Sequence, residues 1–194
     1  MLVLGTTNLN KVDEFSRLLS GVALRGLHEL ECSLDVEETG TTYIENAALK
    51  ATAYAQATGQ WVLSDDTGLE VPALGGAPGI YSARFAGEHA TGAENVSKLL
   101  AALEGIEQRQ ASFHCALAVS DPAGNIIMES TGRLEGHILT EPKGVGGFTY
   151  DYVFFEQKSG CTLAEMPSFA VDKLSHRAQA VKAIKAELLR QFSS

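Results

Sequence analysis

Two adjacent carboxylates, Asp65 and Asp66, follow the apolar run Trp61-Val62-Leu63 and Ser64 and precede Thr67-Gly68. In extended backbone, neighbouring side chains point to opposite faces, so one acid can enter a cleft while the other orients from behind. Charge at the end of a buried strand is costly unless a cation or good donors compensate it. With the carboxylates of Glu37 and Glu38 also at hand, Mg2+ is the natural candidate, held by a few carboxylates together with water and substrate phosphate. The same stretch also fits an Asx-turn or a helix cap, and read alone it does not choose between the two.

Three further segments carry chemistry-bearing side chains. Thr6-Thr7-Asn8-Leu9-Asn10-Lys11 lies between a strand-like run and a helix start, where free N–H groups and the helix dipole favour an anion and Lys11 adds a point charge. An ordinary N-cap explains the same residues, and the G-x-x-x-x-G-K-[ST] pattern of a P-loop is absent. Gly146-Gly147-Phe148-Thr149-Tyr150-Asp151 sets aromatic planes beside a carboxylate, a combination suited either to a nucleobase or to core packing. Ser175-His176-Arg177 opens a basic stretch with Lys173, Lys182, Lys185 and Arg190 against Glu187. Such a stretch suits phosphate or a base edge, whereas its outer lysines read as a solvated helix face. His28, His89, His114 and His137 lack metal-ligand spacing, and no Ser-His-Asp or Cys-His order stands out.

The elements that must position these residues follow from periodicity. Leu2 to Gly5 reads as a strand, and Val12, Phe15, Leu18 and Leu19 as a helix stopped near Gly21. An acidic stretch from Glu29 to Glu38, containing Glu31 and Asp35, ends at Gly40. Thr42 and Glu45 then form a capping-box pattern for a second helix, with Ile44, Ala47, Ala48, Ala51 and Ala55 as its buried stripe. Glu45, Asn46 and Lys50 fall on its polar side. Trp61-Val62-Leu63 is a strand that should end at the acid pair. Val96, Leu99, Leu100 and Leu103 predict a third helix capped by Thr91. Period-two alternation from Ala111 to Val119, the turn Asp121-Pro122-Ala123-Gly124-Asn125 and Ile126-Ile127-Met128 predict a hairpin. Val181, Ile184, Leu188 and Phe192 share one face of a final helix. Crossover helices together with hairpins point to a mixed α/β sheet with flanking helices.

At 194 residues, 45% hydrophobic and 20% charged, the chain has a globular composition, sized for one domain over residues 1–194 or for two lobes sharing a core. A net charge of −9 argues against general nucleic-acid binding. No apolar run approaches the ~18 residues of a membrane span, and Met1 leads into a strand without a basic n-region, so a soluble cytoplasmic protein is expected. Cys32, Cys115 and Cys161 are odd in number and widely spaced, which argues against disulfides and zinc.

Five stretches, in order, resemble the inosine/xanthosine triphosphate pyrophosphatases, house-cleaning nucleotidases of the purine pool. They are Thr6 to Lys11; Glu37-Glu38-Thr39-Gly40 with Ile44-Glu45-Asn46-Ala47; Ser64 to Leu69; Gly75-Gly76-Ala77-Pro78-Gly79-Ile80-Tyr81-Ser82-Ala83-Arg84; and Gly146 to Asp151 with Ser175-His176-Arg177. The resemblance implies a mixed α/β fold with two lobes around a long central cleft, and a homodimer. It implies hydrolysis of ITP, dITP and XTP to the nucleoside monophosphate and pyrophosphate, dependent on Mg2+. Thr6, Thr7, Asn8, Leu9, Asn10 and Lys11 would hold the triphosphate. Glu37 and Asp66 would bind the metal, and Asp66 would also activate water. Thr67 would touch the substrate, Phe148, Thr149, Tyr150 and Asp151 would stack on and read the base, and His176 with Arg177 would contact the 6-oxo edge.

Three positions depart from the family pattern. Val171 stands where a substrate lysine is usual, so Lys173 is expected to reach the same group from an altered loop. Thr7 and Thr149 stand where glycine is frequent, and both are expected to tighten the pocket. Other readings predict different behaviour: a pyrophosphatase with another base preference, a nucleotide sensor without turnover, or an interaction module built on the acidic stretch.

Overall fold

The apolar start of the chain becomes β1 (Leu2–Leu4), and the polar turn after it leads into α1 (Leu9–Leu18). Then come β2 (Leu24–Gly26), α2 (Tyr43–Thr58), β3 (Trp61–Glu70), β4 (Pro78–Gly79), α3 (Gly92–Ala102), β5 (Gln110–Ser120), β6 (Ile126–Ile138), β7 (Phe154–Glu156), β8 (Cys161–Thr162), α4 (Ser168–Leu174) and α5 (His176–Phe192). This computed structural model describes residues 1–30, 32 and 34–193. The chain forms two compact units, one made of Met1–Asp66, Cys115–Gly132 and the segment from His176 onward, the other of Thr67–His114 and Arg133–Ser175. Residues of β3, β5 and β6 belong to both.

In the first unit the strand order is β2-β1-β3-β5-β6. β1 runs parallel to β2 and β3, with Leu2 opposite both Leu24 and Trp61. Alternation sorts the side chains between two faces. Leu2, Leu4, Leu63, Cys115, Leu117 and Val119 meet Phe15 of α1 and Val181, Ile184, Leu188 and Phe192 of α5. Val3 and Val62 meet Tyr54 and Ala55 of α2, and Ala116 and Ala118 meet its Ala47 and Ala51. One face is therefore covered by α1 and α5 and the other by α2, whose small residues allow close approach. The expected capping box opens α2: Thr42 Oγ1 accepts the Glu45 N–H at 3.3 Å, and Glu45 Oε2 accepts the Thr42 N–H at 3.1 Å.

In the second unit, β4 runs antiparallel to β3 and β7 antiparallel to β6 and β8, so the architecture is mixed as expected. Leu69, Val71, Phe113, Leu134 and Phe154 pack with Val96, Leu99 and Leu103 of and beside α3, and the Phe113 and Phe154 rings lie 4.6 Å apart. Two strands outrun the sequence reading. β3 does not stop at the acid pair but continues to Glu70, its last residues pairing with β4. β6 continues well past Met128 through the exposed Glu129, Thr131, Arg133 and Glu135, an outer row with no apolar signal. Helix α4 has no counterpart in the sequence reading; it buries no residue completely and so shows no apolar stripe. Among the described residues no helix is long and apolar enough to cross a membrane. Among the described residues Cys32, Cys115 and Cys161 form no disulfide.

Candidate functional site

The parity of β3 decides where the two acids go. Asp65 shares the face of Leu63, toward α1 and α5, and Asp66 shares that of Val62, toward α2. Asp65 is buried, and its Oδ2 lies 2.9 Å from Lys11 Nζ and 3.4 Å from Arg177 Nη2. Arg177 gives Nη1 to Glu14 of α1 and is 2% exposed. Lys11, Glu14, Asp65 and Arg177 thus form one charge network tying α1, β3 and α5 together. Asp66 Oδ2 accepts from Asn46 Nδ2 at 3.2 Å, and its Oδ1 lies 3.7 Å from Lys50 Nζ, which also donates to Glu38 Oε1. Asn46 Oδ1 in turn accepts the Gly40 N–H at 2.8 Å. A Cβ on Gly40 would stand 2.6 Å from that oxygen, so glycine is what lets the acidic segment close on α2.

Asn46 and Lys50 fall where the sequence reading puts them, and the structure adds what they face. They are on the polar side of α2, but that side is turned toward Asp66 and is largely buried. The signal for them is an Asn and a Lys one helical turn apart beside a stripe of alanines. Glu14 is a site-network residue that the sequence reading misses, although its place one turn after Lys11 on α1 is a signal of the same kind.

The two neighbouring carboxyls are pushed in opposite directions. Burial raises that of Asp65, but Lys11, Arg177 and Lys50 more than offset it, and the net shift is well below the usual carboxylate range. Burial raises that of Asp66 as well; Glu38 adds to this, Lys50 and Asn46 oppose it, and the net shift is upward. Lys50 is held protonated: burial lowers its pKa, but Asp66, Asp65 and Glu38 outweigh burial. The two neighbouring carboxyls thus sit in different environments, the separation expected of paired carboxylates with different roles.

Glu38 and Asp66 share a cation, the Lys50 ammonium, so this part of the first unit already requires positive charge. Glu37 is exposed, and its carbonyl accepts the Thr39 N–H at 3.1 Å. Glu31 lies outside the described residues. Among the described residues no three His, Cys, Asp or Glu gather to hold an ion. A few oxygen donors completed by water and phosphate fit Mg2+ and do not fit a structural zinc site. In the N-terminal loop, Asn8 caps α1, its Oδ1 accepting from the Asn10 and Lys11 N–H groups at 3.0 and 3.4 Å, and Thr6 Oγ1 accepts the Asn8 N–H at 3.2 Å. Thr7, Leu9 and Asn10 are exposed. His176, the first residue of α5, is buried.

The remaining sequence-predicted residues belong to the second unit. Thr67 is half-buried in β3. Phe148 precedes a 3-10 turn over Thr149–Tyr152, and Asp151 Oδ2 accepts the Phe148 N–H at 3.0 Å. Tyr150 is buried in the core; its hydroxyl donates to Ser82 O at 2.8 Å, and burial pushes its pKa up. Phe148 is half-buried and Thr149 has φ +50°. The Gly75 to Arg84 motif serves the structure, since Ser82 Oγ accepts the Leu69 N–H at 2.8 Å and donates to Gly79 O at 2.6 Å, fastening the end of β3. Lys173 is exposed, with Nζ 5.7 Å from the Phe169 ring centre. The altered loop expected to carry it toward the position of Val171 is absent. Both residues lie on the unbroken helix α4, about 200° apart around its axis.

The sequence profile of the Ham1 family matches residues 2–187. The chain belongs to the Ham1 family. A relative from Idiomarina loihiensis named dITP/XTP pyrophosphatase is 45% identical over 97% of this chain and 98% of its own. One of the same name from Vibrio parahaemolyticus is 46% identical over 98% and 97%. The solved structure of the Staphylococcus aureus Ham1 protein superposes on this Ham1 chain with a TM-score of 0.87, at 37% identity and with 98% of each chain covered.

Proposed function

We propose that this Ham1 chain hydrolyses deaminated purine nucleoside triphosphates, ITP, dITP and XTP, to the monophosphate and pyrophosphate. The observation that carries this reading is the divided acid pair of β3: Asp65 paired with Lys11 and Arg177 on one face, Asp66 beside Asn46 and Lys50, with Glu38 on the same Lys50, on the other. The names of the relatives point to the same substrates. Thr6 to Lys11 hold the triphosphate at the N-terminus of α1, where the helix dipole favours an anion and Lys11, paired with Asp65, lies beside it. Asp66 takes the proton of the water that attacks the α-phosphorus. Asp66 and Glu37 would hold Mg2+, while Glu38 keeps Lys50 in place. The ion would supply neutralisation of the charge spread over the phosphate oxygens.

Thr67 contacts the substrate, Phe148 stacks on the base, and Thr149, Tyr150 and Asp151 shape the turn behind that ring. His176 and Arg177 are assigned to the 6-oxo edge; Arg177 also keeps Asp65 ionised through its ion pair. Donors aimed at a 6-oxo group go unpaired when adenine arrives, which supports discrimination of about 10⁴. The protein works as a homodimer in the cytoplasm. Pyrophosphate release from ITP, XTP, GTP and ATP, with and without Mg2+, tests the reading. Release from ITP and XTP only with Mg2+ is expected. Orthophosphate as the product refutes the reaction, and tight ITP binding without turnover makes the chain a sensor.

A further inference from the structure

Thr149 is the one non-glycine residue with positive φ among the described residues. A β-branched residue is strained there, because its Cβ crowds the carbonyl oxygen, and such strain persists only where the surroundings over-determine the conformation. They do so on both sides. Phe148, in extended backbone, is tied to Asp151 at 3.0 Å, and Tyr150 is tied to Ser82 O at 2.8 Å. The segment carrying Ser82 is held by the buried Asn95 of α3, which donates to Ala83 O at 3.0 Å and accepts the Ala86 N–H at 2.7 Å.

The Thr149 side chain itself sits against Gly92, the first residue of α3. A Cβ built on Gly92 would stand 2.9 Å from Thr149 Oγ1, 3.4 Å from its Cα and 3.5 Å from its Cβ. Gly92 has no positive φ of its own to explain it, so the seat for Thr149 is the reason on view for glycine at this helix start. That end of α3 is fixed in turn: Glu94 Oε2 accepts the Thr91 N–H at 2.7 Å and Thr91 Oγ1 accepts the Glu94 N–H at 3.2 Å.

We infer that Thr149, seated on Gly92, is a positioning residue that sets the Phe148 ring for base recognition, its own side chain facing α3 and not the substrate. The inference rests on the proposed reading of Phe148 as the base platform. The backbone reverses at residue 149, so its conformation governs where the preceding ring stands. Any displacement of Thr149 is transmitted to Phe148 through a single peptide link.

A double-mutant cycle tests this. Gly92→Ala places a Cβ 2.9 Å from Thr149 Oγ1, so the Thr149 side chain must shift on its seat. We expect the KM for ITP to rise about three- to ten-fold, the coupling typical of residues in contact, with kcat within about twofold. Thr149→Gly removes the clashing atoms, so adding Gly92→Ala to that variant leaves KM unchanged. Equal KM effects of Gly92→Ala in both backgrounds, or a lowered melting temperature with KM unmoved, overturns the inference while the proposed function stands. Failure of the wild-type protein to release pyrophosphate from ITP overturns both.

Discussion

Asp66 and Asp65 are chemically identical and adjacent, yet α2 surrounds one with Asn46 and Lys50 while α1 and α5 surround the other with Lys11 and Arg177. Two different losses follow. Asp66→Asn keeps the shape and removes the proton acceptor, so kcat for ITP falls by about 10²–10⁴ while the melting temperature does not drop. Asp65→Asn leaves Lys11 and Arg177 undercompensated in a buried site and costs about 3 kcal/mol at pH 7. The sign of its pH dependence is fixed by its lowered pKa. The folded state holds Asp65 ionised more firmly than the unfolded chain does, so its contribution is full above about pH 4 and is lost as pH falls toward the folded-state value. Urea denaturation at pH 7 and pH 3 should show the gap between wild type and Asp65→Asn narrowing at the lower pH. The opposed directions of the two acids are legible from alternation alone. Which partner each acid meets is not, because the i,i+4 spacing of Asn46 and Lys50 marks a shared helix face without saying that Asp66 lies opposite it.

Helices with two independent signals are legible in the sequence. α2 carries a capping box and an alanine stripe, α3 the pair Thr91 and Glu94 with a leucine stripe, and α5 an apolar face that is buried as read. Removing one of these signals has a measurable cost: Thr42→Ala deprives the Glu45 N–H of its acceptor and should lower stability by about 1 kcal/mol, read by urea denaturation. Elements without an apolar face, α4 and the outer half of β6, stay hidden for the same physical reason. The helical course of α4 carries its own prediction. Lys173 and Val171 cannot share a direction on it, so Lys173→Ala should leave the KM for ITP unchanged; a rise would mean that the ammonium reaches the substrate from its place beside Phe169.

Across the whole molecule, each unit has its own apolar core, and the candidate residues divide between them: the Thr6 to Lys11 loop, Glu37, Asp66, His176 and Arg177 in the first, Thr67 and the Phe148 to Asp151 turn in the second. A non-hydrolysable α,β-imido analogue of ITP with Mg2+ at about 100 times its Kd should stabilise the fold by about 2.7 kcal/mol, a rise of roughly 5–10 °C in Tm. An interaction module built on the acidic stretch would show no rise. The first unit is assembled from three separated pieces of chain, and the last of them brings Arg177 to Asp65 and Glu14. During synthesis on the ribosome, both acids are made long before their guanidinium partner emerges. A nascent or truncated chain ending before α5 therefore carries two acids destined for burial without that partner, and the burial of both waits on the arrival of Arg177.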